Sequence, residues 1–439
     1  MSDWSLIAIA GLSLVIWLYL LTLRGGFWRA AERFAKTQPA PARWPAVAAV
    51  VPARDEAEVI ARALGSVLDQ DYPGPLHVVL VDDHSSDGTA ALARQRAAEL
   101  GCQSRLTVLS GEALPAGWSG KLWALQQGLE QARRALPEAR YLWLTDADVR
   151  HAPDSLRRLV GQAEDQRLDL VSLMVMLSCK GSWERLLIPP FVFFFQKLYP
   201  FAWSNDTKAR TAAAAGGCMV IDAEALRAAG NLEPIKGRLI DDCALAGLVK
   251  PLAHARGRGT WVGLTDSAQS IRPYEGLGGI WHMVARTAYT QLRHSPLLLL
   301  GTLLGMVLTY LVAPLALLGF PLHGDPLAAG LGLAAWGLMT LAAWPTFRLY
   351  RQPVWRCLLL PVAALLYSAM TLDSALRHWR GRGGVWKGRT EPGGEAAETR
   401  GGEAAETGGG GAARMTGGAA GQHEGSKPTR EVAPGRSAR

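Results

Sequence analysis

The chain has no paired cysteines. Its five, at positions 102, 179, 218, 243 and 357, show no Cys-x-x-Cys spacing, which argues against both a disulfide framework and a structural zinc site. They read as reduced thiols, at or near the cytosol. A dinucleotide-binding Gly-x-Gly-x-x-Gly is missing after the first apolar strand. Gly120-Lys121 is no phosphate loop, because Pro115 stands where that motif's first glycine belongs and Leu122 where its Ser or Thr belongs. Gly117-Trp118-Ser119-Gly120 lacks the spacing of a hydrolase nucleophile elbow. No aromatic and basic RNA-binding signature is present. The net charge of +8 is carried largely by arginines beside apolar stretches, which marks a membrane face rather than nucleic-acid binding.

Apolar residues are plentiful, at 49% of 439 residues, and their excess lies at the two ends of the chain. Residues 4–23 form an apolar run of bilayer-crossing length, followed by Arg24, Arg29, Arg33, Lys36 and Arg43. The charge before it is Asp3, whereas a cleavable signal carries basic residues there, so the run reads as an uncleaved anchor. The basic residues then place the amino terminus outside and the next domain in the cytoplasm, giving a multi-pass protein of the inner membrane. Residues 297–320, 327–344 and 354–372 are three further spanning-length runs. Three crossings would carry Arg377, Arg380, Arg382, Lys387 and Arg389 outside, so one run is expected to be re-entrant or interfacial, with the last, bearing Pro361, as the candidate. The expected division is an anchor at 1–36, a catalytic domain at 45–290, a membrane region at 291–376 and a basic juxtamembrane segment with a tail at 377–439. That tail repeats Gly-Gly-Glu-Ala-Ala-Glu-Thr at 393 and 401, lacks apolar bulk and is expected to be disordered.

Between the apolar ends, short apolar strands alternate with helical periodicity. The strands at residues 46–51, 77–81, 106–109 and 141–144 imply an α/β half-domain built on a parallel sheet. Three of them stop at acidic clusters, which places Glu56, Asp82, Asp83, Asp146 and Asp148 along one sheet edge. Like charges gathered there are costly unless a cation or donor hydrogens neutralise them. Asp146-Ala147-Asp148 is the sharpest of the clusters. A hard divalent cation such as Mg²⁺ takes one or two carboxylates and fills its other positions with water and phosphate oxygens. The plainer reading is that these aspartates close a strand and cap the helix near Pro153, and Asp87 has the look of turn and cap chemistry.

Residues 168–176 read as a further strand. The stretch 186–195 is too short and proline-broken to cross a membrane and too apolar for an exposed surface, which leaves an interfacial segment or a buried core helix. Gly216 and Gly217 mark a turn that allows close approach. Asp241 and Asp242 open an amphipathic helix, either as N-terminal charges or with one of them as a general base. Residues 270–274 and 281–286 supply cations for phosphate oxygens, Arg286 among them.

Taken in order, Val51-Pro52-Ala53-Arg54-Asp55-Glu56, Val81 through Thr89, Gly120-Lys121, Asp146-Ala147-Asp148 and Asp241-Asp242 resemble the family 2 glycosyltransferases of the GT-A fold, over about residues 45–290. The anchor, the stretches at 270–274 and 281–286 and the carboxyl-terminal apolar runs are similar to the membrane branch described as hopene-associated glycosyltransferases. The resemblance implies a GT-A (nucleotide-diphospho-sugar transferase) Rossmann-like α/β domain and inverting transfer of one sugar, from a UDP-sugar in most of the family, with Mg²⁺ or Mn²⁺. The acceptor it implies is a lipid, a hopanoid in that branch. It places Pro52, Arg54, Glu56, Asp82, Asp83, Lys121, Asp146 and Arg286 at the nucleotide sugar, and Asp146 and Asp148 at the metal. Asp242 falls at the family's base, with Asp241-Asp242 standing where a Glu-Asp pair is usual. Processive members carry Gln-x-x-Arg-Trp; here residues 283–287 keep only Arg286, which disfavours polymer synthesis. A processive polysaccharide synthase, a nucleotidyltransferase and a non-catalytic nucleotide-binding membrane scaffold are the rival readings.

Overall fold

The computed structural model describes residues 3–381 and the backbone of residues 385–386 and 389–390. The repetitive tail, Arg382 and Lys387 lie outside the described residues. Eight strands form one mixed sheet: β1 (Val47–Ala53), β2 (Leu76–Asp82), β3 (Leu106–Ser110), β4 (Tyr141–Thr145), β5 (Val149–His151), β6 (Leu168–Met176), β7 (Cys218–Asp222) and β8 (Gly259–Ser270). Their spatial order is β3-β2-β1-β4-β7-β6-β8-β5. Strands β1 to β4 are parallel, as the alternation requires, and β7 enters antiparallel between β4 and β6.

The strands read as continuous apolar runs because both faces are covered. Every residue of β1 is buried. On one face Val47, Ala49 and Val51 pack with Ile60, Leu64, Ala93 and Leu159 from the helices Ile60–Leu68, Thr89–Glu99 and Ser155–Asp165. On the other, Ala48, Val50, Val79 and Val81 meet Leu122, Leu125 and Leu129 of the helix Gly120–Ala135 and Leu245 and Val249 of the helix Asp241–Ala255. Each full burial of a branched aliphatic side chain is worth about 1.5–3 kcal/mol. All five cysteines are free thiols.

The stretch 186–195 lies within a single helix, Ser182–Leu198, which carries Pro189 and Pro190 and buries Leu187, Ile188, Val192 and Phe193. Leu187, Ile188 and Val192 join Val262, Leu264, Ile280, Tyr350 and Tyr367 in one cluster, and Phe193 joins Trp17, Tyr310 and Met339 in another, so the helix is packed between the sheet domain and the apolar helices. Among the described residues, four helical segments are long and apolar enough to cross a membrane: Trp4–Thr22, Pro296–Leu318, Pro326–Leu349 and Val354–Trp379.

Gly128 marks the closest approach of helix Gly120–Ala135 to the sheet: a β-carbon there would overlap Val50 Cγ1 and sit 3.0 Å from Val81 Cγ2. Gly128→Leu is expected to destabilise the domain by about 1–3 kcal/mol through overpacking. Thermal unfolding of the purified protein checks this, and an unchanged midpoint would show that the contact is looser than described.

Candidate functional site

Strand direction decides what meets at the edge where β1, β2 and β4 end. Because β7 runs opposite to β4, its start at Gly216-Gly217 lies at that edge; β6 and β8 end there, and β5 begins there. The edge therefore gathers residues 53–56, 82–88, 146–148, 216–217 and 270–272. Helices Gly120–Ala135 and Asp241–Ala255 bring their amino termini to the same place, as the Lys121–Asp241 pair shows.

Around β1 and β2 the acidic residues have distinct duties. Asp83 is buried and paired with Arg54, whose Nη1 donates to the Asp83 carbonyl at 2.7 Å and to its carboxylate at 3.3 Å. Asp87 accepts from the Ala57 and Thr89 amides and from the Thr89 hydroxyl, so it ties the loop after β1 to the loop after β2. Asp55 and His84 hold left-handed backbone conformations, φ 49° and 56°. The Asp55 carboxylate accepts from the Ser86 amide at 2.9 Å, which locks that turn. Asp82 accepts from the Ser85 amide through Oδ1 and is only partly buried. Pro52 is buried within β1 and Glu56 is buried at the loop that follows.

The central feature is Lys121. Its Nζ lies 2.8 Å from Asp146 and 3.7 Å from Asp241, so one ammonium joins the cluster after β4 to the start of helix Asp241–Ala255. Burial alone would drive this lysine toward neutrality; Asp146 and then Asp241 outweigh it and hold the cation charged well above the usual lysine range. Asp242 Oδ2 accepts from the Gly216 amide at 2.8 Å and Oδ1 from the Cys243 amide at 2.7 Å. Burial, followed by repulsion from Asp241, pushes the Asp242 carboxyl up to about 6. A β-carbon on Gly216 would press to 3.3 Å from Lys121 Nζ, so the glycine lets the backbone amide reach Asp242.

Asp148 accepts from the Ser270 hydroxyl at 3.0 Å, with Arg272 Nε 4.0 Å away. Its carboxyl is raised first by burial and then by Asp146, a like-charge contact that a cation would relieve. Among the described residues no group of three His, Cys, Asp or Glu side chains is gathered as a metal cage. Two carboxylates one residue apart are nonetheless the donor set that Mg²⁺ or Mn²⁺ takes where phosphate oxygens and water complete the shell. Asp146 and Asp148 fit such an ion.

Two residues at this edge carry more than their sequence context shows. Arg272 pairs with Glu56 and approaches Asp148, bridging the end of β8 to the loop after β1. Glu184 accepts from the amides of Lys180, Gly181 and Tyr274, pinning the segment after β8 to the start of helix Ser182–Leu198. The Ser270-Ile271-Arg272 stretch is visible in sequence as a source of cations, but its partners Asp148 and Glu56 lie 122 and 216 residues away. Arg286 caps the helix Gly276–Ala285 and is exposed. Its charge reaches Tyr274, which also feels Asp148, so Arg286 borders the cluster without an ion pair among the described residues.

The comparisons with known proteins agree with this geometry. Residues 48–229 match the family described as Glycosyl transferase family 2. Among solved structures, the chain is similar to the mannosyltransferase PcManGT from Pyrobaculum calidifontis, determined in complex with GDP-Man and Mn²⁺. That likeness has a TM-score of 0.53 at 20% identity and covers 86% of this chain and 99% of the other. Lower scores are found for S. aureus TarS (TM-score 0.36, 15% identity, 56% of this chain and 40% of the other) and for M. tuberculosis glucosyl-3-phosphoglycerate synthase (0.36, 16%, 57% and 80%). No curated protein matches the sequence. The matched segment covers less than half of the chain, and the sheet topology together with the likeness to the solved mannosyltransferase shows the GT-A fold.

Proposed function

We propose that the chain transfers one sugar, with inversion, from a nucleoside diphosphate sugar to a hydroxyl of a membrane lipid at the cytoplasmic face of the inner membrane. The observation that carries this reading is the Lys121 bridge. It fixes the carboxylates suited to a donor diphosphate beside Asp242, a carboxyl held near the pKa a general base needs at neutral pH. Asp82, with one carboxylate oxygen directed to the Ser85 amide, and buried Glu56 are assigned to the nucleoside, while the Arg54–Asp83 pair shapes the wall beside them.

In the transfer, the acceptor oxygen forms its bond to the anomeric carbon as the bond from that carbon to the diphosphate breaks, and the acceptor proton passes to Asp242. Lys121 and the exposed Arg286 offset negative charge on the leaving diphosphate. A divalent cation on Asp146 and Asp148 would add charge neutralisation of the diphosphate. Cys243 and Gly216 amides hold the Asp242 carboxylate in one orientation for proton transfer.

A lipid acceptor is supported by the four apolar helices and by the helix Ser182–Leu198, which joins them to the sheet domain. A hopanoid, from the resemblance of the flanking segments, is the acceptor to test first. The resemblance implies UDP as the nucleotide, whereas the solved neighbour holds GDP-Man, so both donor classes belong in the assay.

Labelled sugar incorporated into a lipid product by the purified protein tests this directly. The rate is expected to rise with pH through about 6 and level off above it, because Asp242 acts only when deprotonated. Asp242→Asn should lower the rate roughly 10²- to 10⁴-fold while donor binding persists. A pH-independent rate, or full activity in that variant, removes Asp242 from the role of base. Lys121→Met should weaken donor binding by roughly 10- to 100-fold, the loss of a charge-assisted contact. Unchanged donor affinity would limit Lys121 to holding the fold.

A further inference from the structure

The segment Val354–Trp379 is long and apolar enough to cross a bilayer, and its helix Leu360–Trp379 alone is 20 residues, about 30 Å. Its contacts show a different path. Just before it, the Leu177 amide donates to the Tyr350 hydroxyl at 3.4 Å and Gln352 Nε2 lies 3.7 Å from Cys179 Sγ; residues 177–179 follow β6 at the site edge. At its other end Asp373 accepts from Trp281 Nε1 at 2.7 Å, Ser374 accepts from the Tyr289 amide at 3.0 Å, and the His378 ring stacks on His294 at 4.1 Å. Residues 281–294 leave the sheet domain and lead into the span Pro296–Leu318. Both ends of the segment therefore rest on the catalytic side. Between them, Trp336 Nε1 donates to the Leu358 carbonyl at 3.3 Å, well inside the span Pro326–Leu349, and the Tyr367 hydroxyl donates to the Leu187 carbonyl at 2.8 Å.

One face of the segment is thus covered by protein along its length. The opposite face is apolar and exposed at Trp355, Leu358, Val362, Leu365, Leu372 and Trp379, spaced by three, four or seven residues as a single helical stripe requires. The hydroxyls of Ser368 and Thr371 donate to carbonyls one turn back, so neither needs a partner in hydrocarbon. Basic residues follow the same division. Arg348, Arg351 and Arg380 flank this segment, Arg356 and Arg377 lie in its first and last turns, and Arg24, Arg29 and Arg33 follow the first span. The loop at 319–325, between the second and third spans, contains neither Lys nor Arg.

We infer that Val354–Trp379 is a re-entrant, inclined segment that dips into the catalytic-side leaflet and returns, with its exposed stripe covered by the acyl chains of that leaflet, so that the chain crosses the membrane three times. The occupant is lipid because the stripe is continuous in character with the exposed leucines of the spans, such as Leu300, Leu304, Leu315 and Leu333, and is bracketed by arginines suited to anionic headgroups. This placement brings the leaflet surface to Trp281 and the helix Gly276–Ala285, beside Tyr274 and the acidic cluster. The inference shares with the proposed function only the premise that the apolar helices lie in a bilayer.

The test fuses a fluorescent protein that matures only in the cytosol, or an alkaline phosphatase active only beyond the inner membrane, to Arg439 of the full chain expressed in bacteria. A second pair of fusions inserts each reporter between His323 and Gly324. Fluorescence with background phosphatase activity is expected at the carboxyl terminus, and the reverse at the inserted site. Phosphatase activity from the carboxyl-terminal fusion would overturn the inference, whatever the insertion does to folding. The mass of the full chain in lipid nanodiscs then identifies the occupant. One copy per disc is expected, whereas paired copies that separate in the Leu365→Glu variant would assign the stripe to a second copy and overturn the lipid contact. Neither readout depends on sugar transfer.

Discussion

A single half-buried ammonium organises the site. Four aspartates, 146, 148, 241 and 242, come from two distant segments, and without a cation their mutual repulsion would oppose bringing those segments together. Lys121 supplies that charge from the first turn of helix Gly120–Ala135, and Ser119 at its N-cap together with the Lys236 carbonyl, which accepts from the Ser119 amide, fixes where that turn starts. Lys121 meets both Asp146 and Asp241, and so links the end of β4 to the helix that carries Asp242. The raised Asp242 carboxyl and the charged lysine are two consequences of the same crowding.

The sheet exists in this form to hold that edge. Strand β7 runs against its neighbours, which turns the Gly216-Gly217 loop toward the cluster and gives Asp242 a backbone donor in the Gly216 amide. Strand β8 ends with Ser270 and Arg272, which restrain Asp148 and Glu56. Glu184 then ties this strand end to the helix Ser182–Leu198, whose other face packs on the apolar helices through Phe193 and Phe194. The acidic sheet edge and the apolar region are thus joined by one short path of buried carboxylate, helix and aromatic contacts.

Much of the fold was legible because local and tertiary requirements coincide in the first half. Each apolar strand from Val47 to Thr145 is followed by a helix with one apolar stripe, and a buried parallel sheet leaves few other arrangements. The acidic strand ends were legible for the same reason. The second half was less so. The reversal of β7 leaves no mark in its apolar pattern, because an antiparallel central strand buried on both faces reads like a parallel one. Asp83 reads in sequence as part of an acidic cluster, and its partner Arg54 comes from the end of another strand, whereas Asp87 has the look of turn and cap chemistry and accepts from the Ala57 and Thr89 groups in that way. The Arg272–Glu56 pair and the Tyr274 amide held by Glu184 depend on contacts between segments 216 and 90 residues apart, which no local pattern encodes.

The most direct measurement of the account is calorimetric titration of UDP and GDP into the purified chain with Mn²⁺, with Mg²⁺ and with chelator, repeated on Asp148→Asn. The account requires affinity for one of the nucleotides that depends on the cation and is lost in the variant. Binding of equal strength in chelator, or undiminished in Asp148→Asn, would contradict it.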